Sequence, residues 1–272
     1  MRGHDAILAN TPDIELWPGG VLRARGNRDA RALARACTVL RRKRDGTLLA
    51  ADLPEGLLPL VPRLAREPGI DAALDVIEHP PLRGLRTGID VVPTLPPTRL
   101  ATRLEALGID GDAYAARTGL ALEPEPAWLD LAGHDRYRRA LWLRVDAARG
   151  WRTLVAAAAR DGIALEAVSG YRSHDYQAGI IERKLARGIA IDEILAVNAA
   201  PGWSEHHSGR AIDISTPGEP AAEESFEQTG AFAWLRSHAA AFGFTMSYPR
   251  DNPHGIVHEP WHWRYDGAAR ID

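Results

Sequence analysis

Cysteine is nearly absent from this sequence. Cys37 stands alone among 272 residues, so no intramolecular disulfide can form and no multi-cysteine thiolate site can hold a metal. Any metal bound here has to be held by histidine or carboxylate. An excess of one charge is missing as well. Lys and Arg number 33 against 36 Asp and Glu, a formal net charge of -3, which gives no electrostatic reason to expect nucleic acid or an anionic membrane as partner. No run of about eighteen apolar residues occurs, so no membrane span is expected. The apolar stretch near the N-terminus is too short for a signal peptide; as written the chain is expected in the cytoplasm, or in the periplasm or cell wall if a leader is missing. Internal repeats and low-complexity tracts are also lacking. What remains is 45% hydrophobic and 25% charged residues, enough for an ordinary core in one large domain or a small domain beside a larger one. Nothing in the composition sets an oligomeric state.

The first part of the chain mixes short strand-like runs with turn signals. Ile14-Glu-Leu-Trp17 before Pro18-Gly-Gly20 and Gly88-Ile-Asp-Val-Val92 before Pro93 read as strands, while Arg28 to Arg35, Leu57 to Arg66 and Thr98 to Leu107 carry helical spacing. The dense basic run Arg41-Arg42-Lys43-Arg44 precedes Asp45-Gly46 and is flanked by Thr38-Val-Leu40 and Thr47-Leu-Leu49, which predicts a β-hairpin with a solvated turn. Glu123-Pro-Glu-Pro126 favours extended chain and excludes a continuing helix. It divides the sequence into an α+β accessory region of unknown role, residues 1–125, and a second part, residues 126–272. In the second part a long helix is expected from Arg138 to Asp161, a strand from Ile163 to Val168, and a helix from Tyr176 to Arg187 ended by Gly188. Phe232 to Phe242 reads as helix; Phe244 to Tyr248 and Trp261 to Tyr265 read as strands.

Two segments about fifty residues apart carry chemistry, Ser204-Glu-His-His-Ser-Gly-Arg-Ala-Ile-Asp213 and Glu259-Pro-Trp-His262. They supply two imidazoles, a short carboxylate and a further glutamate, the inventory of a catalytic zinc site with three protein ligands and a general base. His206 and Asp213 can share a face only if the chain bends between them, and Gly209 is placed for that bend before the strand-like Ala211-Ile-Asp-Ile214. The second segment has a rival reading. His258-Glu-Pro-Trp-His262 matches the helical H-E-x-x-H pattern of zinc proteases, but Pro260 removes a backbone donor and clashes inside a helix. As a turn entering a strand, the segment places Glu259 toward a metal-bound water and His262 on the metal, with His258 a bystander. His254, His207 and His174 carry the same bystander or supporting reading, with a substrate contact as the alternative for His207. Trp203, Trp261 and Trp263 read as core aromatics, with Trp261, beside the ligand, the one placed to wall the pocket and bind substrate.

The four segments Ser169-Gly-Tyr-Arg-Ser-His-Asp-Tyr-Gln177, Pro201-Gly-Trp-Ser-Glu-His-His-Ser-Gly-Arg-Ala-Ile-Asp213, Tyr248-Pro249 and Glu259-Pro-Trp-His-Trp-Arg-Tyr265 resemble the signatures of the D-alanyl-D-alanine carboxypeptidases of the vancomycin-resistance type. These are zinc peptidases that share a fold with the Hedgehog signalling domain. The resemblance covers roughly residues 130–270 and leaves residues 1–125 outside. It implies an α+β catalytic domain around a small antiparallel sheet and one Zn²⁺ per chain held by His206, Asp213 and His262, with Glu259 as catalytic base. Carried over, Arg172 stabilises the developing oxyanion or orients the scissile carbonyl, and Gln177 and Ser204 hold the substrate's C-terminal end. The activity implied is removal of C-terminal D-alanine from peptidoglycan-type peptides. L,D-carboxypeptidase, D,D-dipeptidase and a zinc-bearing binding module without turnover stand as alternatives, and Glu259 favours an enzyme over the module. Two departures adjoin the first ligand: Trp203 where tyrosine is common, and His207 where Gln or Asn is usual.

Overall fold

Strand-length runs at the start of the chain pair into a sheet that runs past the proline-rich segment. The computed structural model describes residues 6–23, 26–80 and 92–267. β1 (Ile7–Asn10) and β2 (Ile14–Pro18) are joined by a tight turn in which the Thr11 hydroxyl donates to Ile14 O at 2.9 Å. β3 (Thr38–Arg42) and β4 (Leu48–Leu53) form the expected hairpin, with Gly46 at φ 73 in the left-handed region that glycine tolerates. β5 (Gly56–Pro59), β6 (Trp128–His134) and β7 (Ala140–Leu143) complete a seven-stranded antiparallel sheet in the order β5-β4-β3-β2-β1-β6-β7. Glu123-Pro-Glu-Pro126 therefore lies between strands of one sheet, because β6, which follows it, hydrogen-bonds to β1.

Two helical expectations in this half are corrected. Residues 57–66 form β5 and a single 3-10 turn, Leu64–Arg66; Pro59 and Pro62 withhold the donors a helix would need. The helix expected from Arg138 begins only with α5 (Val145–Arg160), and residues 140–143 are β7. Leu141, Trp142 and Leu143 are all buried, and a short run buried on both faces has no periodicity to separate strand from helix. Of the strand expected at residues 88–92, residues 88–91 lie outside the described residues. Among the helices, α1 (Asn27–Arg35) and α3 (Leu100–Ala106) lie where spacing placed them, whereas α2 (Ile70–Glu78), α4 (Gly111–Thr118) and α7 (Ile191–Val197) were not anticipated.

The second half builds a smaller sheet. β8 (Glu166–Ser169), β9 (Ala211–Ser215), β10 (Phe244–Met246) and β11 (His262–Tyr265) lie in the order β10-β11-β9-β8, every pair antiparallel. α5 turns Ala147, Ala148, Trp151, Leu154 and Ala158 inward at three- and four-residue spacing. They pack with Leu141 and Leu143 of the large sheet, Ile212, Ile214, Phe244 and Trp263 of the small one, and α8 (Gly230–His238). A second core joins α3 and α4 to α7 and α6 (His174–Leu185), whose first turn is capped by Ser173 accepting the Tyr176 N–H at 3.1 Å. The fold is α+β, and among the described residues no helix is long and apolar enough to cross a membrane.

Candidate active site

The three expected ligands converge. His206 lies in the 3-10 turn Glu205–Ser208, which Gly209 ends at φ 68. A Cβ on Gly209 would sit 2.5 Å from Leu129 Cδ2, so both backbone angle and space require glycine there. The bend delivers the chain into β9, where Asp213 is the direct cross-strand partner of His262 on β11, a register that brings two side chains together on one face. Ligand atoms of His206, Asp213 and His262 all lie within 4.8 Å of one another, and all three residues are buried.

Neighbouring groups decide which imidazole nitrogens face the centre. His206 Nδ1 lies 2.7 Å from Gly170 O, a bond that requires the proton on Nδ1. Nε2 is left buried without a hydrogen-bond partner, 3.3 Å from Asp213 Oδ1. On His262 the assignment is reversed, with Nε2 2.8 Å from Glu205 Oε2 and Nδ1 3.1 Å from Asp213 Oδ1. Burial, reinforced by the Arg172 charge, lowers His206 to about 4. Burial also opposes charge on His262, but its bonds to Asp213 and Glu205 outweigh that and raise it to about 10. An orphaned buried nitrogen, a second imidazole nitrogen aimed at the same point and a carboxylate form a donor set that fits Zn²⁺.

Glu205, which the sequence reading did not single out, holds His262 from the other side. Besides His262 it accepts the Ser247 hydroxyl at 2.6 Å and lies 3.3 Å from the Arg264 guanidinium. Burial raises its carboxyl, yet the His262 bond and the His262 and Arg264 charges outweigh this and hold it at about 2. Such a carboxylate fixes the ring of a metal-binding histidine, and removing one typically costs about 10–100-fold in metal affinity or activity. Glu205→Ala is expected to weaken zinc binding by that factor without abolishing it, as read by competition with a chelating dye.

Glu259 stands beside the trio. Its Oε2 lies 3.9 Å from His262 Nδ1. Burial raises its carboxyl to about 7, with His262 and Arg172 pulling down and Asp213 and Glu205 pushing up. Residues 255–260 contain no helix; the His262 N–H donates to Glu259 O at 3.1 Å in a turn that enters β11. The helical H-E-x-x-H reading is thereby excluded, and His258 turns away to Glu227 at 3.1 Å. Arg172 reaches to 3.6 Å from Asp213 Oδ2 and to 3.5 Å from Gln177 Oε1, while Gln177 Nε2 donates to Ala199 O at 2.8 Å. Arg172, Gln177, Ser204, Tyr248 and Glu259 border one cleft with the two histidines. The aromatic ring beside His262 is that of Tyr248, with centroids 4.9 Å apart. Trp261 packs on the core and is not among the residues lining the cleft.

Residues 140–268 match the VanY D-alanyl-D-alanine carboxypeptidase family. The bifunctional D-Ala-D-Ala dipeptidase and D-Ala-D-Ala carboxypeptidase VanXYC of Enterococcus gallinarum is 32% identical over 152 residues, which cover 53% of this chain and 76% of that protein. The chain belongs to the VanY family. A D-alanyl-D-alanine carboxypeptidase of Enterococcus faecalis is 35% identical over 123 residues, 41% of this chain and 43% of that one, so the chain spans less than half the length of this relative. A solved vancomycin-resistance D,D-pentapeptidase VanY, in complex with Zn(II), is 27% identical with a TM-score of 0.42, covering 55% of this chain and 88% of its own. The VanY match starts at the first residue of β7 and leaves residues 1–139 outside it. Both departures from the VanY pattern have structural homes. Trp203 packs edge-on against Tyr114 of α4, centroids 5.5 Å apart. His207 is fully buried, its Nδ1 2.7 Å from Arg172 O and its Nε2 accepting the Gly202 N–H at 3.1 Å.

Proposed function

We propose that this chain is a zinc carboxypeptidase that removes C-terminal D-alanine from peptidoglycan-type peptides, with one zinc per chain on His206, Asp213 and His262. The observation that carries this reading is Glu259, a partly buried carboxylate 3.9 Å from a nitrogen of His262 and outside the candidate trio. A site that only holds metal has no use for it. Residues 126–272 would carry the chemistry, with residues 1–125 as an accessory region. Zinc in a site with three protein ligands lowers the pKa of bound water to about 7 and polarises a carbonyl. Glu259 accepts the proton of the attacking water and returns it to the departing amine. The Arg172 guanidinium, steadied by Gln177, donates to the carbonyl oxygen as negative charge grows there. Ser204, buried at the cleft wall, meets the C-terminal end of the substrate.

Incubation of purified protein with D,D-ended and L,D-ended muropeptides, with and without zinc, tests the reading through the mass of the released product. Free D-alanine from the D,D substrate is expected. Release of D-alanyl-D-alanine would make the chain a dipeptidase, cleavage of the L,D substrate alone would make it an L,D-carboxypeptidase, and zinc binding without release would leave a binding module. Arg172→Ala is expected to keep its zinc and lose about 10²–10³ in kcat, the usual cost of one oxyanion donor. An unchanged kcat would reduce Arg172 to a structural residue.

A further inference from the structure

The basic run of the β3–β4 hairpin contains a cation that is not at the surface. The expected solvated turn holds for Arg44, but the Lys43 side chain is 0% exposed and its Nζ lies 2.5 Å from Glu125, itself 6% exposed. The same carboxylate accepts the Tyr171 hydroxyl at 2.5 Å and the His174 backbone N–H at 2.9 Å. Burial raises the Glu125 carboxyl, but the Lys43 and His174 charges outweigh it and hold it at about 2. Tyr171 and His174 bracket Arg172. From the other side, the Arg172 N–H donates to His206 O at 3.2 Å, its carbonyl oxygen lies 2.7 Å from His207 Nδ1, and the His207 ring meets His174 edge-on at 4.4 Å. Three segments distant in sequence thus fix the backbone of the guanidinium that faces the cleft: the hairpin with its Glu125 partner, α6 and the metal-ligand turn.

A buried carboxylate is tolerated only when it is paired. Without the Lys43 charge, a Glu125 that stays ionised is a buried unpaired anion that draws in water or a new partner, and it would then no longer receive the Tyr171 hydroxyl and the His174 N–H in their present geometry. A neutral side chain with an acceptor at Oε1 would not be pulled away. A displacement of about 1 Å in a group that acts on the reacting carbonyl can cost about 100-fold in rate.

We propose that Lys43 is a positioning residue for Arg172, so that the region outside the VanY match completes the machinery of the site. This rests on the carboxypeptidase reading. The test uses full-length, zinc-loaded protein, with kcat and KM on a D-alanyl-D-alanine-ended peptide expressed per folded, metal-bound molecule. Amide hydrogen exchange is followed in parallel at residues 171–174. Lys43→Met is expected to keep zinc, to lose about 10–100-fold in kcat with little change in KM, and to exchange faster at those amides. The double variant Lys43→Met with Glu125→Gln removes both charges while keeping an acceptor for the His174 N–H, and should recover most of kcat. Wild-type kcat in Lys43→Met overturns the proposal, whatever its melting temperature. If the single variant fails to fold, a double variant that folds, binds zinc and is as slow as Arg172→Ala overturns it. If the wild type releases nothing from any peptide, the carboxypeptidase reading fails by itself. The exchange pattern then decides, and unchanged exchange in the folded variant rejects Lys43 as the anchor of the segment.

Discussion

Glu259→Gln is expected to fold, to bind zinc as the wild type does, and to hydrolyse D-alanyl-D-alanine-ended peptides about 10²–10⁴-fold more slowly, the range attributed to general acid–base catalysis. Glutamine preserves the size of the side chain and its hydrogen bonding but has no carboxylate to take a proton. Zinc content should survive because Glu259 is outside the trio of His206, Asp213 and His262. Burial, which carries the Glu259 carboxyl up to about 7, sets the expected pH dependence. A base works only when ionised, so kcat/KM rises with pH through its pKa. The positive charge of a bound metal favours the ionised form, which places this acid limb at or below pH 7. The limb should disappear in Glu259→Gln. Wild-type turnover in the Gln variant, or an unaltered acid limb, would remove Glu259 from the mechanism.

Loss of either histidine ligand should be more severe. His206→Ala and His262→Ala each leave two of three protein donors, and each also takes a hydrogen-bond partner from a neighbouring group. In the first case the Gly170 carbonyl loses the imidazole 2.7 Å away, and in the second Glu205 loses the ring 2.8 Å from its carboxylate. Metal analysis after dialysis is expected to show zinc well below the wild-type ratio in both, with no measurable hydrolysis. His258→Ala should retain full metal, since its ring faces Glu227. Full stoichiometry in both His206→Ala and His262→Ala would place the metal elsewhere.

Legibility in the sequence followed the range of the interaction concerned. His206, Gly209 and Asp213 were readable because a glycine bend and a short strand are local instructions, and Pro260 excluded a helix through its own two neighbours. Glu205 was missed although it directly precedes a ligand, because its role is expressed only toward Ser247, Arg264 and His262, all brought in by later segments. The assignment of Trp261 to the pocket wall rested on sequence adjacency to His262. On a strand, adjacent residues face opposite sides, and Trp261 at the mouth of β11 packs on the core while Tyr248 stands beside the ligand. Lys43 read as part of a solvated basic turn because nothing nearby in sequence marks its partner Glu125, 82 positions away.

By itself the sequence determined the three candidate donors, the carboxylate beside them, the bend between His206 and Asp213 and the VanY resemblance of its second half. Each of these depends on residue chemistry or on backbone preferences acting over a few positions. Only the tertiary structure decided that β6 and β7 continue the N-terminal sheet, that Glu205 bonds His262, and that a lysine from the β3–β4 hairpin pairs with the carboxylate that holds Tyr171 and His174 on either side of Arg172. Those outcomes depend on burial. A charge removed from water must find a partner wherever the fold supplies one, and which segment supplies it is set by strand register and helix packing between residues that are strangers in sequence.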